Sequence, residues 1–318
     1  MITSGLSVPW GLAFLPDGSA LVSERDSALI KRVEPDGRVT TVGEVPGVVA
    51  GGEGGLLGIA VAATFERDRW VYAYFSAAED NRIVRMRYAG GELGEPEVIL
   101  DGIPRSSIHN GGRLRFGPDG MLYAGTGDAA EGENAADRDS LGGKVLRIAP
   151  DGSVPEDNPF GTPVWSYGHR NVQGLAFDAD GRLWASEFGQ ETWDELNLIE
   201  RGADYGWPAA EGRAGIDGLV DPVRQWSPAV ASPSGITWIR DTVLMGALRG
   251  SRLWAIPVPG GEAAEPMDFL SGEYGRLRTV EVAPDGALWV TTSNTDGYGD
   301  PRPGDDRILR VTLRPARS

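Results

Sequence analysis

One phrase occurs six times along the chain: an apolar stretch, a tight turn built on aspartate, and a second apolar stretch. The first copy reads WGLAFLPDGSALVSE and the third reads RLRFGPDGMLYAGTGD. Aspartate and glycine both tolerate positive φ, so Asp-Gly between two such stretches predicts a β-hairpin. The turn aspartates follow one another at intervals of 44 to 61 residues and are Asp17, Asp68, Asp119, Asp180, Asp241 and Asp285.

A third apolar stretch follows each hairpin, such as LIKRV after the first and RILRV after the last. Four short strands in a repeat of roughly 40–60 residues are typical of a propeller blade. No useful length of helical periodicity separates the strands, which disfavours strand–helix–strand units. The sequence therefore predicts an all-β fold, a six-bladed β-propeller of four-stranded antiparallel blades, built as a single domain over residues 1–318.

Composition narrows the partners of the chain. The formal net charge of −16 disfavours nucleic acid, whose binding depends on a surplus of Lys and Arg. The absence of cysteine excludes disulfides, thiolate nucleophiles and thiolate metal sites. The sequence contains no apolar run of about 18 residues, so it predicts no membrane span. The first residues, MITSGLSVPW, do not resemble a signal peptide. We expect a periplasmic or secreted protein if such a peptide has been removed, and otherwise leave the compartment open.

The inner strands of a propeller surround a central channel. Counting from the turn aspartates locates the residues at one mouth of that channel. Positions ten before and nine after a turn aspartate face each other at the open end of the hairpin. Counting from the third turn places His109 opposite Asp128, and counting from the fourth places Arg170 opposite Gly189. We therefore expect both pairs at the mouth that lies opposite the turns.

Several arginines fall at the same level of different blades. Arg276 and Arg278 precede the sixth turn, Arg249 follows the fifth, and Arg170 precedes the fourth. We expect the four side chains to converge without matched acids. Such convergence is costly unless an anionic ligand lies among them, so the pattern predicts a multiply anionic ligand.

Longer segments resemble a known family. The segments EGGLLGIA, HNGGRLRFGPDGMLYAGTGD, SYGHRNVQGLAFD and DELNLIERGADYGWP are similar to the glucose/sorbosone dehydrogenase family, the soluble quinoprotein aldose sugar dehydrogenases. The resemblance extends from about Trp10 to Arg310. It implies an oxidoreductase that converts aldose sugars to lactones at the anomeric carbon, with pyrroloquinoline quinone (PQQ) and Ca²⁺ as cofactors. The external electron acceptor is left open.

The resemblance implies roles for individual residues. His109 matches the general base and Asp128 the acid that orients it. Arg170 and Asn171 match a pair at the quinone oxygen, where Arg170 also stabilises developing negative charge. The other positions that match cofactor-binding residues are Glu53, Arg249, Arg276 and Arg278.

Calcium ligands are implied at two places. The backbone carbonyls of Gly189 and Gln190 match ligands of a calcium ion beside the cofactor, although relatives carry proline at the second position. Glu195 and Tyr205 match a second calcium site found in part of the family. The segment GADYGWP can equally be interpreted as a turn with buried aromatic side chains, so the second site stays open.

Other positions qualify this picture. Ile108 stands where the glucose-specialised branch has aspartate, which disfavours a preference for glucose, and Arg249 stands where several relatives have lysine. His169 lies at a strand entry, one residue off the position that faces the channel, and we expect it to serve as a neutral control. Lys144 and Arg147 are expected on a solvated strand.

Two other functions stay open. A six-bladed calcium-dependent lactonase or esterase would bring acidic and amide ligands onto one metal in the channel. A non-catalytic binding propeller would lack the pair of His109 and Asp128, or would carry an exposed apolar top face. The abundance of arginine at the mouth favours the dehydrogenase.

Overall fold

The computed structural model describes residues 1–313, in which 25 strands form six antiparallel sheets. The first strand of each sheet contacts the first strand of the next, and the sixth contacts the first, so the sheets form a ring. This arrangement confirms the predicted six-bladed β-propeller. The single-domain organisation over residues 1–318 stays a prediction, and residues 314–318 lie outside the described part.

The first half of the ring contains three blades and the strand that closes the sixth. The strands are β1 (Thr3–Ser4), β2 (Pro9–Phe14), β3 (Ala20–Glu24), β4 (Leu29–Val33), β5 (Val39–Glu44), β6 (Leu56–Val61), β7 (Trp70–Ser76), β8 (Asn81–Ala89), β9 (Glu92–Leu93), β10 (Glu97–Ile103), β11 (Leu114–Phe116), β12 (Leu122–Gly125), β13 (Val145–Ile148) and β14 (Val164–Ser166). Blade one is β2–β5, blade two is β6–β10 and blade three is β11–β14.

The second half completes the ring. Its strands are β15 (Val172–Phe177), β16 (Leu183–Glu187), β17 (Asp194–Ile199), β18 (Arg224–Trp226), β19 (Pro233–Ile239), β20 (Thr242–Ala247), β21 (Arg252–Pro257), β22 (Met267–Phe269), β23 (Leu277–Val282), β24 (Leu288–Thr292) and β25 (Arg307–Val311). Blade four is β15–β18 and blade five is β19–β22. Blade six is β23–β25 together with β1, which pairs with β25 and joins the two ends of the described chain.

Helices are scarce in residues 1–313. They are α1 (Phe65–Asp68), α2 (Glu133–Ala136) and one 3₁₀ turn (Pro259–Gly261). None of these helices is long enough to cross a membrane. The prediction that Asp68 occupies a tight hairpin turn is wrong, because it ends α1. That longer connection buries Phe65 in the core between blades one and two.

The core lies between neighbouring blades. Because each blade is covered on both sides, strands such as β7 (WVYAYFS) bury nearly every residue and read as continuous apolar stretches rather than alternating ones. The prediction of a solvated strand at Lys144 and Arg147 is wrong for the same reason. Lys144 is fully buried, and its Nζ donates to three backbone carbonyls. Arg147 is buried with ion pairs to Asp119 and Asp157.

Candidate active site

A buried carboxyl group holds the histidine at the mouth of the channel. His109 lies in the segment that enters β11, and Asp128 follows β12 in the same blade. Their side chains meet at 2.8 Å between His109 Nδ1 and Asp128 Oδ1. Asp128 is only 1% exposed, whereas the histidine ring is partly exposed toward the mouth. The predicted pairing across the open end of the hairpin is confirmed.

The backbone around His109 is unusual and closely packed. His109 has φ of +57°, a conformation that costs of order 1–3 kcal/mol for a residue other than glycine. Its amide donates to Glu53 Oε2 at 3.0 Å, and its carbonyl accepts from the amide of Ala129 at 3.1 Å. Gly127 passes so close that an added Cβ would stand 1.9 Å from the His109 carbonyl oxygen. Local contacts thus fix the histidine in a conformation that an isolated chain disfavours.

The charge state of Asp128 determines which nitrogen of the His109 imidazole carries the hydrogen. Burial opposes ionisation of Asp128, but the hydrogen bonds and charge of His109, with further donors from Trp207 and Ala130, outweigh it and lower the pKa of the carboxyl. An ionised Asp128 can only accept, so Nδ1 of His109 carries a hydrogen. Nε2, which has no hydrogen-bond partner within residues 1–313, is then free to accept a proton.

Arg170 and Asn171 enter β15 beside this pair. The Arg170 amide donates to Glu187 Oε2 at 2.8 Å, and its Nη1 donates to the Gly189 carbonyl at 2.6 Å, which confirms the expected proximity of Arg170 and Gly189. Arg170 Nε and Asn171 Nδ2 are buried donors that lack a partner in the described part of the chain. Because unpaired buried donors are costly, the two atoms suit a ligand that offers oxygen acceptors.

The prediction that the arginines converge without acids is wrong for two of the four. Arg276 Nε and Arg278 Nη2 both donate to Asp296 Oδ2, at 2.9 and 3.1 Å. Burial opposes ionisation of Asp296, but the guanidinium charges of Arg278 and Arg276 lower the pKa of its carboxyl. Since two cations share one carboxylate oxygen, positive charge still exceeds negative charge at this point.

A cavity at the mouth brings several of these groups together. Its lining includes Glu53, Arg276, Arg278 and Tyr298. Arg249 is exposed and lines an adjoining cavity of about 330 Å³, which it shares with Arg276 and Tyr298. The two cavities therefore form one basic, partly aromatic surface. A separate cavity of about 900 Å³ opens at the turn end of the channel and contains none of the predicted site residues.

Sequence reasoning missed three members of this surface. Arg25 lines the mouth cavity and follows its turn aspartate by eight residues, the same interval that singled out Arg249. Gln173 accepts from Arg278 Nη1 at 3.2 Å through its side-chain oxygen. Asp296 lies in the loop after β24. Counting from the turns would have found Arg25. It would also have found Gln173, which precedes Asp180 by seven residues as Arg278 precedes Asp285, whereas Asp296 carries no comparable signal.

The predicted calcium ligands lie near one another. The Gly189 carbonyl faces Arg170, and the adjacent Gln190 is exposed. Glu195 is buried, and burial together with the charge of Glu187 raises the pKa of its carboxyl to about 8. Among the side chains of residues 1–313, no group of three or more His, Asp and Glu is arranged to hold a metal ion. The ligand assignments stay predictions.

Two further observations concern this acidic region. Asn197 donates to both Glu187 and Glu195, while its Oδ1 is buried without a partner in the described chain. A carbonyl oxygen beside two carboxylates is the type of donor set that Ca²⁺ prefers. The Tyr205 hydroxyl instead donates to the Leu198 carbonyl at 2.6 Å, so a contribution of Tyr205 to a cation would come from its backbone.

His169 does not serve as a neutral control. Its ring is fully buried, with Nδ1 2.8 Å from Glu187 Oε1 and Nε2 2.9 Å from Ser166 Oγ. It also stacks on Tyr205 at a centroid separation of 4.5 Å. Because Glu187 in turn holds the amide of Arg170, removal of the His169 ring would disturb the site.

Comparisons with known proteins agree with this geometry. The family described as Glucose / Sorbosone dehydrogenase matches residues 6–300. The PQQ-bound aldose sugar dehydrogenase (Adh) structure from Streptomyces coelicolor is 59% identical, with a TM-score of 0.95 over 97% of this chain and 95% of that one. Aldose sugar dehydrogenase YliI of Escherichia coli is 32% identical over 92% of this chain and 89% of its own length. Quinoprotein glucose dehydrogenase B of Acinetobacter calcoaceticus is 36% identical over 67% and 52%, respectively.

Proposed function

The chain belongs to the glucose/sorbosone dehydrogenase family, and from this membership we propose that it is a PQQ-dependent dehydrogenase that oxidises aldose sugars at the anomeric carbon to lactones. The observation that carries the proposal is the 2.8 Å contact between His109 and Asp128 beside a surface rich in guanidinium groups. A base and an anion-binding surface at one mouth are what this oxidation requires.

His109 acts as the general base in this proposal. Its Nε2 accepts the proton of the anomeric hydroxyl, and the ionised Asp128 stabilises the imidazolium that results. Such general-base assistance is worth roughly 10²–10⁴-fold in rate. The fixed backbone of His109 keeps Nε2 directed at the mouth, so orientation is established before the sugar arrives.

The cofactor surface fits PQQ. When bound, PQQ supplies the quinone that accepts the hydride from the anomeric carbon, chemistry that no protein side chain provides. Arg276, Arg278 and Arg249 would hold its carboxylates, since two of these guanidinium groups share a single acid in the protein. The unpaired donors Arg170 Nε and Asn171 Nδ2 would meet acceptor oxygens. Glu53 would border the ligand at the mouth.

Calcium is the second cofactor in the proposal. The carbonyls of Gly189 and Gln190 would serve one ion near the cofactor, and the Arg170 guanidinium would then have to release the Gly189 carbonyl to which it donates here. Glu195, with the backbone of Tyr205, would serve another, where the unpaired Oδ1 of Asn197 is an additional oxygen donor. A cation at the second position would favour the ionised form of Glu195, whose pKa burial and the charge of Glu187 raise to about 8.

The substrate is a small aldose, and turnover needs an external electron acceptor to reoxidise the cofactor. The net charge of −16 gives no reason to expect nucleic acid as a partner. A periplasmic or secreted location stays the prediction for a chain from which a signal peptide has been removed.

Reconstitution tests the proposal. Purified apo protein is titrated with PQQ in the presence and absence of Ca²⁺, and binding is followed by absorbance. Reduction of an artificial dye is then measured with a panel of aldoses, and the product is identified as a lactone. We expect saturable, calcium-assisted binding and sugar-dependent dye reduction. Binding without reduction for any aldose would support a binding propeller, and hydrolysis of lactones without PQQ would support a lactonase.

A further inference from the structure

We propose that Trp207 is a positioning residue that holds the carboxylate of Asp128 in the orientation needed to direct His109. The inference rests on the proposed function for its catalytic consequence, although its structural part concerns the protein alone. Trp207 belongs to the segment GADYGWP, for which the sequence predicts a turn with buried aromatic side chains and the resemblance implies a calcium site at Tyr205, but neither predicts a role for Trp207 itself.

The indole N–H completes the hydrogen bonding of the catalytic carboxylate. Trp207 Nε1 donates to Asp128 Oδ2 at 2.8 Å. The other oxygen, Oδ1, is engaged at 2.8 Å by His109 Nδ1 and at 2.8 Å by the Ala130 amide. Donors on both oxygens prevent the carboxylate from rotating about its Cβ–Cγ bond. The indole N–H therefore fixes the plane of the Asp128 carboxylate, and with it the direction of the hydrogen bond between Asp128 and His109.

The indole itself is anchored from two blades. The backbone amide of Trp207 donates to the carbonyl of Gly168 at 2.9 Å, and Gly168 lies in the segment that enters blade four. The loop of blade three packs on the other side, where an added Cβ on Gly132 would meet Pro208 Cβ at 2.8 Å and Trp207 Nε1 at 3.6 Å. Trp207 is thus wedged between the two loops that carry Asp128 and Arg170.

The face of the ring serves a second group. The guanidinium carbon of Arg170 lies 5.5 Å from the Trp207 ring centroid, within the range of a cation–π contact. The charged groups that face the pair of His109 and Asp128 are Arg170 and Glu53, the latter through the amide of His109. One side chain therefore contacts both the acid that orients the base and the arginine next to it.

Removal of the indole N–H has a defined consequence. Phenylalanine at position 207 keeps a ring against Arg170 but leaves Asp128 Oδ2 buried without its donor. The carboxylate then becomes more basic and free to tilt, so its bond to His109 Nδ1 loosens. We expect kcat to fall roughly 10- to 100-fold, the range that corresponds to one lost hydrogen bond to a charged group. KM for the sugar should stay within about twofold, since the change acts on the base.

The experiment compares Trp207→Phe with Trp254→Phe. Trp254 also donates its indole N–H, to the Val230 carbonyl at 3.1 Å, but it lies on β21 of blade five and lines neither of the two mouth cavities. The first measurement is NMR of the apo protein. With only two histidines in the chain, the His109 Nδ1–H signal can be assigned by its loss in His109→Gln. We expect its exchange with water to accelerate at least about tenfold in Trp207→Phe and to be unchanged in Trp254→Phe.

The second measurement is the pH profile of kcat in the PQQ-loaded protein. A more basic Asp128 stabilises the protonated imidazole, so the acid limb should move to higher pH in Trp207→Phe alone. If Trp207→Phe does not fold, Gly132→Ala, whose Cβ would push on Pro208 and so displace the residue next to it, Trp207, should accelerate exchange in the same direction. Unchanged exchange in the folded variant overturns the inference whatever the activity. Accelerated exchange in a protein that oxidises no sugar supports the positioning and rejects the proposed function.

Discussion

Replacement of Gly127 by alanine tests whether the conformation of His109 matters for turnover. An alanine Cβ at this position would stand 1.9 Å from the His109 carbonyl oxygen and 2.3 Å from its carbonyl carbon. Both contacts are with backbone atoms, which cannot turn aside as a flexible side chain can. The oxygen must therefore retreat by about 1.1 Å to reach even 3.0 Å, the shortest separation that real Cβ atoms show.

A displacement of that size is catalytically large. Misplacement of a reacting group by about 1 Å can cost on the order of 10²-fold in rate, so we expect kcat of the PQQ-loaded Gly127→Ala protein to fall by about that factor. Gly94→Ala is the matched control, because an added Cβ there meets ordinary contacts of 3.5 Å or more. Circular dichroism and thermal unfolding establish that both variants fold. A folded Gly127→Ala protein with kcat within about twofold of wild type would refute the reasoning.

Three other predictions concern the neighbouring charges. Asp128→Asn should retain an imidazole without its counter-charge, and its kcat should lie between those of wild type and a variant that lacks the histidine; equality with wild type would contradict this. Arg276→Ala and Arg278→Ala should each weaken PQQ binding to the apo protein by about 2–4 kcal/mol in a fluorescence titration, and unchanged affinity in both would remove the cofactor assignment. The lowered pKa of Asp296 stabilises the fold fully above the ordinary value of 3.8, and this contribution is lost as pH falls through the lower folded value. The difference in free energy of unfolding between wild type and Asp296→Asn should therefore shrink below about pH 4, and a constant difference in urea titrations would contradict the ion pairing.

The blades and the catalytic pair could be predicted because both depend on local pattern. Hairpin register links residues close in sequence, so counting from Asp119 sufficed to place His109 opposite Asp128. The same counting placed Arg170 beside Gly189, and an identical interval would have identified Arg25.

The remaining contacts depend on how the loops fold, within a blade or between blades, and loop folding leaves no periodic signal. Asp296 meets Arg278 because the loop after β24 folds back onto the neighbouring strand β23. Lys144 looks like a surface residue in sequence, but the loop before it wraps its ammonium group in carbonyls. Trp207 donates to Asp128, which lies 79 residues earlier in the chain and belongs to a different blade. Such contacts could be identified only once the relative placement of the loops was known.

The most direct test of the proposed mechanism is the turnover of His109→Ala with saturating PQQ and Ca²⁺. Wild-type protein should reduce dye in the presence of an aldose. His109→Ala should bind PQQ with wild-type affinity and keep its fold, while its kcat falls at least ~10²-fold, because the proton of the anomeric hydroxyl then has no positioned acceptor. Near-normal turnover of a folded, PQQ-loaded His109→Ala protein would contradict the assignment of the base.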